Sequence, residues 1–231
     1  MRLNIDLTQG KKQKNVFFTS DFHLFHQNVL RFDNRPFADV HEMHQALEDN
    51  WNAVVGPDDI VIYLGDLSFA KKSESDFVEG MLYKLNGEIH FIMGNHDDYR
   101  EISKNSRFET VQGYLEVRIN HMLDGKRVET LFCCMHYPIY EWNKKHRGSY
   151  MIHGHCHMNL FNNDEKWVSD MNKFSEYIPK EKLEEYNSLV KRQHYYTQRV
   201  FDLGCMGWEY KPVSYLDVLK LGDDRVLGTH H

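Results

Sequence analysis

Ile89-His90-Phe91-Ile92-Met93-Gly94-Asn95-His96-Asp97 is the stretch that decides the fold: a strand-length run that stops at a glycine followed by residues able to bind metal or move protons. Four further segments repeat the pattern. Asn15–Ser20 stops at Asp21-Phe22-His23, and Ile60–Leu64 stops at Gly65-Asp66. Leu131–Met135 stops at His136, and Tyr150–Ile152 runs into His153-Gly154-His155-Cys156-His157. Short apolar runs rich in β-branched or aromatic residues read as buried strands. In open α/β sheets, ligand-binding residues gather in loops at the carboxyl ends of the strands. Five such ends side by side would place these residues in one crevice, which reads as a metal site.

Between the runs the periodicity changes. Over Ala38–Val55, the residues Met43, Ala46, Leu47, Trp51 and Val54 share one helical face, and Gly56-Pro57-Asp58 ends the helix because proline cannot continue it. A second helix is predicted over Ser73–Leu85, with Ser73 as its cap and Phe77, Val78, Met81, Leu82 and Leu85 on its buried face. This alternation argues for an α/β fold. Tyr114–Ile119 and Arg127–Met135 read as antiparallel partners around Leu123-Asp124-Gly125-Lys126, and further strands are expected at Arg199–Leu203 and Val213–Leu219. The stretch Met158–Gln198 breaks the rhythm. It is charged and aromatic, carries Trp167, Tyr177, Tyr186, Tyr195 and Tyr196, and offers one helix over Lys180–Gln193. The organisation expected is a single domain over residues 1–231 with an insertion at about 158–198.

Composition narrows the class. A chain of 231 residues with 41% hydrophobic and 27% charged residues is ordinary for a globular enzyme, which excludes a disordered polypeptide. The net charge of −6 argues against broad, non-specific affinity for nucleic acid or anionic membrane. No run approaches the roughly 18 apolar residues of a membrane span. Met1–Lys14 is polar and lacks the apolar centre of a signal peptide. Cys133, Cys134, Cys156 and Cys205 are too few for a disulfide framework in a chain of this length, so a reducing, cytoplasmic location is expected.

The chemistry follows from residue types. In an extended segment residues i and i+2 face one side, so Asp21 with His23, and His155 with His157, can each aim two ligands into one cavity. Gly65 and Gly94 stand where the backbone must turn sharply. Asp66 carries two carboxylate oxygens and can bridge two cations, Asn95 offers an uncharged amide oxygen, and His136 offers an imidazole. Two carboxylates, one amide and four imidazoles exceed one tetrahedral site. They suit two ions about 3.5–4 Å apart, as in two-metal hydrolases. His96 is left over as a proton donor or a stabiliser of the transition state, with Asp97, in preference to Asp98, placed to orient its imidazole. Arg35 is a candidate bidentate clamp for a substrate phosphate or else a local cap or ion pair, and His26 is a second candidate substrate contact. Lys144-Lys145-His146-Arg147, with Trp142 beside it, reads as a solvated face or a phosphate or nucleic-acid contact.

The ordered set Asp21-x-His23, Gly65-Asp66, Gly94-Asn95-His96-Asp97, His136 and Gly154-His155-x-His157 resembles the calcineurin-like metallophosphoesterase superfamily. Arg35-Pro36-Phe37, the segment from Glu48, Gly65-Asp66-Leu67-Ser68-Phe69 and the ending from Tyr210 look like a small bacterial and phage subfamily of phosphoesterases. The resemblance implies two packed mixed β-sheets flanked by helices, a four-layer sandwich. It implies that Asp21, His23 and His157 hold one ion, that Asn95, His136 and His155 hold the other, and that Asp66 bridges them. Manganese is the first expectation for the two divalent ions, with iron, zinc, nickel or cobalt next. A hydroxide between the ions would then hydrolyse a phosphomonoester or phosphodiester. The alternative on the same residues is a nuclease or cyclic-nucleotide phosphodiesterase, taking a nucleotide or short nucleic acid. A non-catalytic scaffold of the same fold would be expected to lack ligands or the motif histidine, and here they are present.

Overall fold

The computed structural model describes residues 1–8, 14–158, 177–187 and 198–223. Among the described residues, ten strands form two five-stranded mixed sheets. In one, β2 (Val16–Thr19), β3 (Ile60–Tyr63), β4 (Glu88–Ile92) and β5 (Phe108–Gln112) run parallel, and β10 (Val213–Ser214) joins β2 antiparallel. In the other the order is β1 (Arg2–Asp6), β6 (Tyr114–Leu123), β7 (Lys126–Met135), β8 (Tyr150–His153) and β9 (Val200–Asp202). There β6 and β7 form the expected antiparallel hairpin, and β7, β8 and β9 run parallel.

The five motif-bearing runs therefore do not lie side by side in one open sheet. Three end in the first sheet and two in the second, and the two carboxyl-terminal edges meet. Alternation explains how short strands can be apolar throughout. Val16, Phe18, Ile60, Ile62 and Ile92 face the layer between the sheets, where they meet Val117, Phe132, Ile152 and Phe201. Phe17, Val61, Tyr63, Ile89 and Phe91 point outward onto helices. A strand covered on both faces loses its polar side.

The outer cover of the first sheet comes from α2 (Val40–Val54) and α3 (Ser75–Lys84), which follow the short α1 (Val29–Phe32). Met43, Leu47 and Trp51 of α2 are completely buried against that sheet. Asp39 starts α2 by accepting the amides of His41 and Glu42 at 2.8 and 2.9 Å. Ser73 does not cap the next helix. It lies inside a 3-10 turn, Lys72–Glu74, where Glu74 accepts the Lys71 amide instead. On the outer face of the second sheet, Trp142 packs against Leu131, Cys133, Met151 and Val200.

The C-terminal expectation needs correction. Only Val213–Ser214 is strand, and it is followed by a helix, labelled α5 (Tyr215–Gly222) as α4 (Tyr99–Ile102) lies earlier in the chain. Ser214 accepts the Asp217 amide and so turns the chain into a helix, whose Tyr215 and Val218 reach the core. Of the helix expected over Lys180–Gln193, residues 180–182 form a 3-10 turn and 183–187 are helical. The remainder, and most of the insertion including Trp167, Tyr195 and Tyr196, lies outside the described residues.

Candidate metal centre

The site occupies the seam where the two carboxyl-terminal sheet edges meet. Asp21, after β2, accepts the His155 amide, after β8, at 3.2 and 3.1 Å, so the motif loops of the two sheets are tied directly. The reason these loops present paired side chains differs from the extended geometry expected. Asp21, His23, Asp66, His155 and His157 all have left-handed φ angles, of 60°, 52°, 57°, 68° and 49°. Aspartate and histidine are among the side chains that tolerate this region best, and such clusters mark functional sites. The tight curl sends His155 and His157 to different neighbours rather than to one face.

Two donor groups result: Asp21, His23 and His157, and Asp66, His136 and His155. Asp66 stands between them, with Oδ2 3.6 Å from His23 Nε2 and 3.4 Å from His136 Nε2. Asn95 joins the second group, its Oδ1 3.0 Å from His136 Nε2. The atoms fit cations. His136 Nδ1–H donates to the Leu64 carbonyl at 2.7 Å, which leaves Nε2 as a lone pair facing the oxygens of Asn95 and Asp66. His157 Nδ1–H donates to Asp33 at 2.8 Å, and its Nε2 faces His23 Nε2 at 2.9 Å and Asp21 Oδ1 at 3.6 Å. Lone pairs converging without donors between them are what divalent ions relieve.

The local field is strong. Burial works to raise the Asp66 carboxyl, but its hydrogen bond and charge interaction with His136 win and hold it at about 2. Burial would lower the His136 and His157 imidazoles, yet Asp66 and Asp33 respectively raise both above the usual histidine range. For His155, burial followed by the neighbouring His136 outweighs the pull of Asp21 and Asp66 and lowers the imidazole.

His96 is exposed beside the donor groups, its ring centroid 5.7 Å from that of His23 and 4.6 Å from that of Phe69. Asp97 does not take the orienting role expected for it. Its carboxylate accepts the amides of Asp66, Leu67 and Gly94 at 2.8, 2.9 and 2.7 Å, pinning the β3 and β4 loops together. Burial pushes that carboxyl up, against the pull of the three amides. Asp98 accepts the Arg100 amide at the start of α4.

Arg35 is also corrected. It is only 4% exposed, and its guanidinium donates to Asp33, to the Asp21 and Phe22 carbonyls and to Met43 Sδ, so it cannot clamp a substrate phosphate. His26 stacks on Phe69 at 4.1 Å between centroids, next to His23. Lys145 is buried, donating to the Tyr140 carbonyl and to Glu141. Lys144 and Arg147 line a cavity of about 480 Å³ with Leu123, Thr130 and Tyr150, at the end of the second sheet away from the donors.

Sequence reasoning missed three neighbours of the site. Asp33 holds His157. Tyr137, 40% exposed, places its ring 4.6 Å from His155. Asp202, which ends β9, accepts the amides of Met158 and Gly204 at 3.0 Å each and forms a third cluster with His153 and Cys156. Burial raises its carboxyl to about 7. A cavity of about 720 Å³ opens beside His96, lined by Phe69, Lys71, Lys72, Val78, Leu82 and Ile102.

Comparison with known proteins agrees with this geometry. The profile described as calcineurin-like phosphoesterase matches residues 14–197. The chain is 36% identical over 146 residues to the uncharacterized protein MJ1445 of Methanocaldococcus jannaschii, covering 63% of this chain and 71% of that one. It is 29% identical over 164 residues to the Gene 66 protein of Mycobacterium phage L5, covering 62% and 77%. The crystal structure of the protein of unknown function AQ665 from Aquifex aeolicus superposes with a TM-score of 0.56 at 20% identity, covering 90% of this chain and 99% of that chain, and shows the same fold.

Proposed function

The chain belongs to the calcineurin-like phosphoesterase family, and from that premise we propose that it hydrolyses a phosphomonoester or phosphodiester by a dinuclear, metal-dependent route. In this reading Asp21, His23 and His157 would hold one ion, Asn95, His136 and His155 would hold the other, and Asp66 would be shared between them. The observation that carries it is the position of Asp66 Oδ2, within 3.6 Å of an imidazole nitrogen from each donor group. Two divalent ions, manganese in the first instance, would supply an acidified water as nucleophile and neutralise charge building on the phosphoryl oxygens.

The protein's own part is proton delivery and placement. As the bond from phosphorus to the leaving oxygen breaks, His96 gives that oxygen its proton. The cavity beside His96 receives the departing group, with Phe69, Lys71 and Lys72 among its lining. Asp97 serves the reaction by fixing the two loops that carry Asp66 and Asn95. His26, stacked on Phe69 and next to His23, is a further substrate contact in this reading. Phe69 and Tyr137 flank the donors with partly exposed rings, which favours, within this class, an ester that carries a base.

Metal analysis and turnover test the reading together. Wild-type protein should hold close to two transition-metal ions and cleave bis-p-nitrophenyl phosphate with added manganese. Asp66→Ala should lose both ions, because it removes their shared ligand. His96→Ala should keep both yet lose roughly 10²–10⁴-fold in turnover on alkyl esters, and less on nitrophenyl esters, whose leaving oxygen hardly needs a proton. A fully loaded wild type with at most one ion would sink the dinuclear claim. Equal losses on both ester types would remove the proton from His96. A panel of phosphomonoesters, cyclic nucleotides, dinucleotides and short single strands separates the general reading from the nucleotide one.

A further inference from the structure

Asp33 lies in the loop after α1, outside every motif that the metal donors define. Its side chain is buried, and both of its oxygens approach His157 Nδ1, at 2.8 and 2.9 Å. One of them also accepts Arg35 Nε and Nη2, at 3.0 and 2.9 Å. The same guanidinium donates to the carbonyls of Phe22 and Asp21, each at 2.9 Å. A continuous chain of bonds thus runs from the backbone of Asp21 through Arg35 and Asp33 to the ring of His157.

We propose that Asp33 is a positioning residue, fixed by Arg35, that sets the tautomer and direction of His157 so that Nε2 is available to the ion shared with Asp21 and His23. The inference rests on the dinuclear reading above, because it takes His157 as a ligand of one ion. The physical argument is an inventory of donors. An ionised carboxylate has no proton to give, so His157 must carry its hydrogen on Nδ1, and the lone pair is then on Nε2. Histidine ligands commonly give their other N–H to such a carboxylate, which fixes the ring and raises its basicity. Arg35 supplies what Asp33 needs to remain ionised and immobile while buried. It also references that carboxylate to the backbone that carries the neighbouring ligand, so His157 and Asp21 are held in one frame although they come from different sheets.

Asp33→Asn separates this role from simple packing. The amide oxygen would stay with Arg35, the stronger donor, and turn the NH₂ toward His157. His157 would then accept at Nδ1 and carry its hydrogen on Nε2, which closes that nitrogen to an ion. The full-length chain is titrated with Mn²⁺, and the zinc-loaded chain labelled with ¹⁵N-histidine is examined by NMR; melting of the metal-free protein monitors folding. The expected result is a 10–100-fold weaker affinity for one ion, with the second ion held as in wild type. The protonated nitrogen of His157 should move from Nδ1 to Nε2, while the metal-free protein melts at a lower temperature, because buried Arg35 loses its countercharge, but still in one cooperative transition. Asp33→Glu, which restores a carboxylate, should recover Nδ1 protonation and part of the affinity. Two ions bound at wild-type affinity with the Nδ1 proton retained in Asp33→Asn would overturn this inference alone. A wild type that binds one ion and shows no change at His157 on metal addition would overturn both it and the dinuclear reading.

Discussion

Gly65 and Gly94 face one another where the β3 and β4 loops close on Asp66. Gly65 has φ +97°, and a Cβ there would lie 2.5 Å from the Gly94 nitrogen and 2.9 Å from His136 Nδ1. Gly94 has no such turn to make; a Cβ on it would run into the Asp66 carboxylate and amide. Its requirement is close approach rather than backbone angle. Gly94→Ala should therefore displace Asp66, and a displacement near 1 Å can cost on the order of 10²-fold in rate. Turnover on bis-p-nitrophenyl phosphate and metal content are the measurements, with far-UV circular dichroism as the folding control. Unchanged activity would show that the loops have slack. At this scale much of the site was legible, because the donors sit where strands stop. The sequence hides their left-handed curl, which sends His155 and His157 to separate groups. It equally hides Asp33, whose distance from the motifs along the chain gives no hint of its bond to His157. Asp33-x-Arg35 was the only available signal, and an arginine beside an aspartate reads just as well as a solvent-facing pair.

Helices and strands were easiest to read where both faces are covered or where one apolar stripe is continuous. The α2 helix has both a cap and a stripe, and Asp39 supplies the cap through two amides. Replacing Asp39 with Ala should lower stability by leaving the first amides of α2 uncapped and leave metal content intact, since Asp39 bonds only to the amides of His41 and Glu42 and to none of the donors. Urea denaturation checks the first part, and a loss of bound metal at unchanged fold would contradict the second. Strand β1 went unread because Arg2, Asn4 and Asp6 make the segment look polar, although Ile5 is buried and Leu3 packs against the core. In the C-terminal segment Val213, Tyr215, Val218 and Leu219 suit a short strand or a helix, and the Ser214 cap decides it. Periodicity over so few residues cannot separate the two.

Across the whole molecule, histidines outside the donor groups carry a pH dependence of their own. His44 is 1% exposed between Phe25 and Phe77, and its Nε2 accepts the Phe25 amide at 3.0 Å, which requires the neutral ring. Burial, helped by His41, lowers it to about 4. His90 and His121 are lowered too, with burial the largest cause in each. The unfolded chain takes up these protons near the ordinary histidine value of about 6.5, whereas folded His44 resists protonation until about 4. Between those values the unfolded state binds more protons, so stability is complete above about 6.5 and falls as the pH is lowered toward 4. His44→Gln can present an amide oxygen to Phe25 and does not titrate. Its stability should drop less than that of wild type between pH 7 and pH 5, by on the order of 1 kcal/mol. Urea midpoints of the metal-free proteins at the two pH values isolate the effect from ligand protonation. Parallel losses in wild type and variant would place the acid sensitivity elsewhere, with His90 and His121 the next histidines to replace.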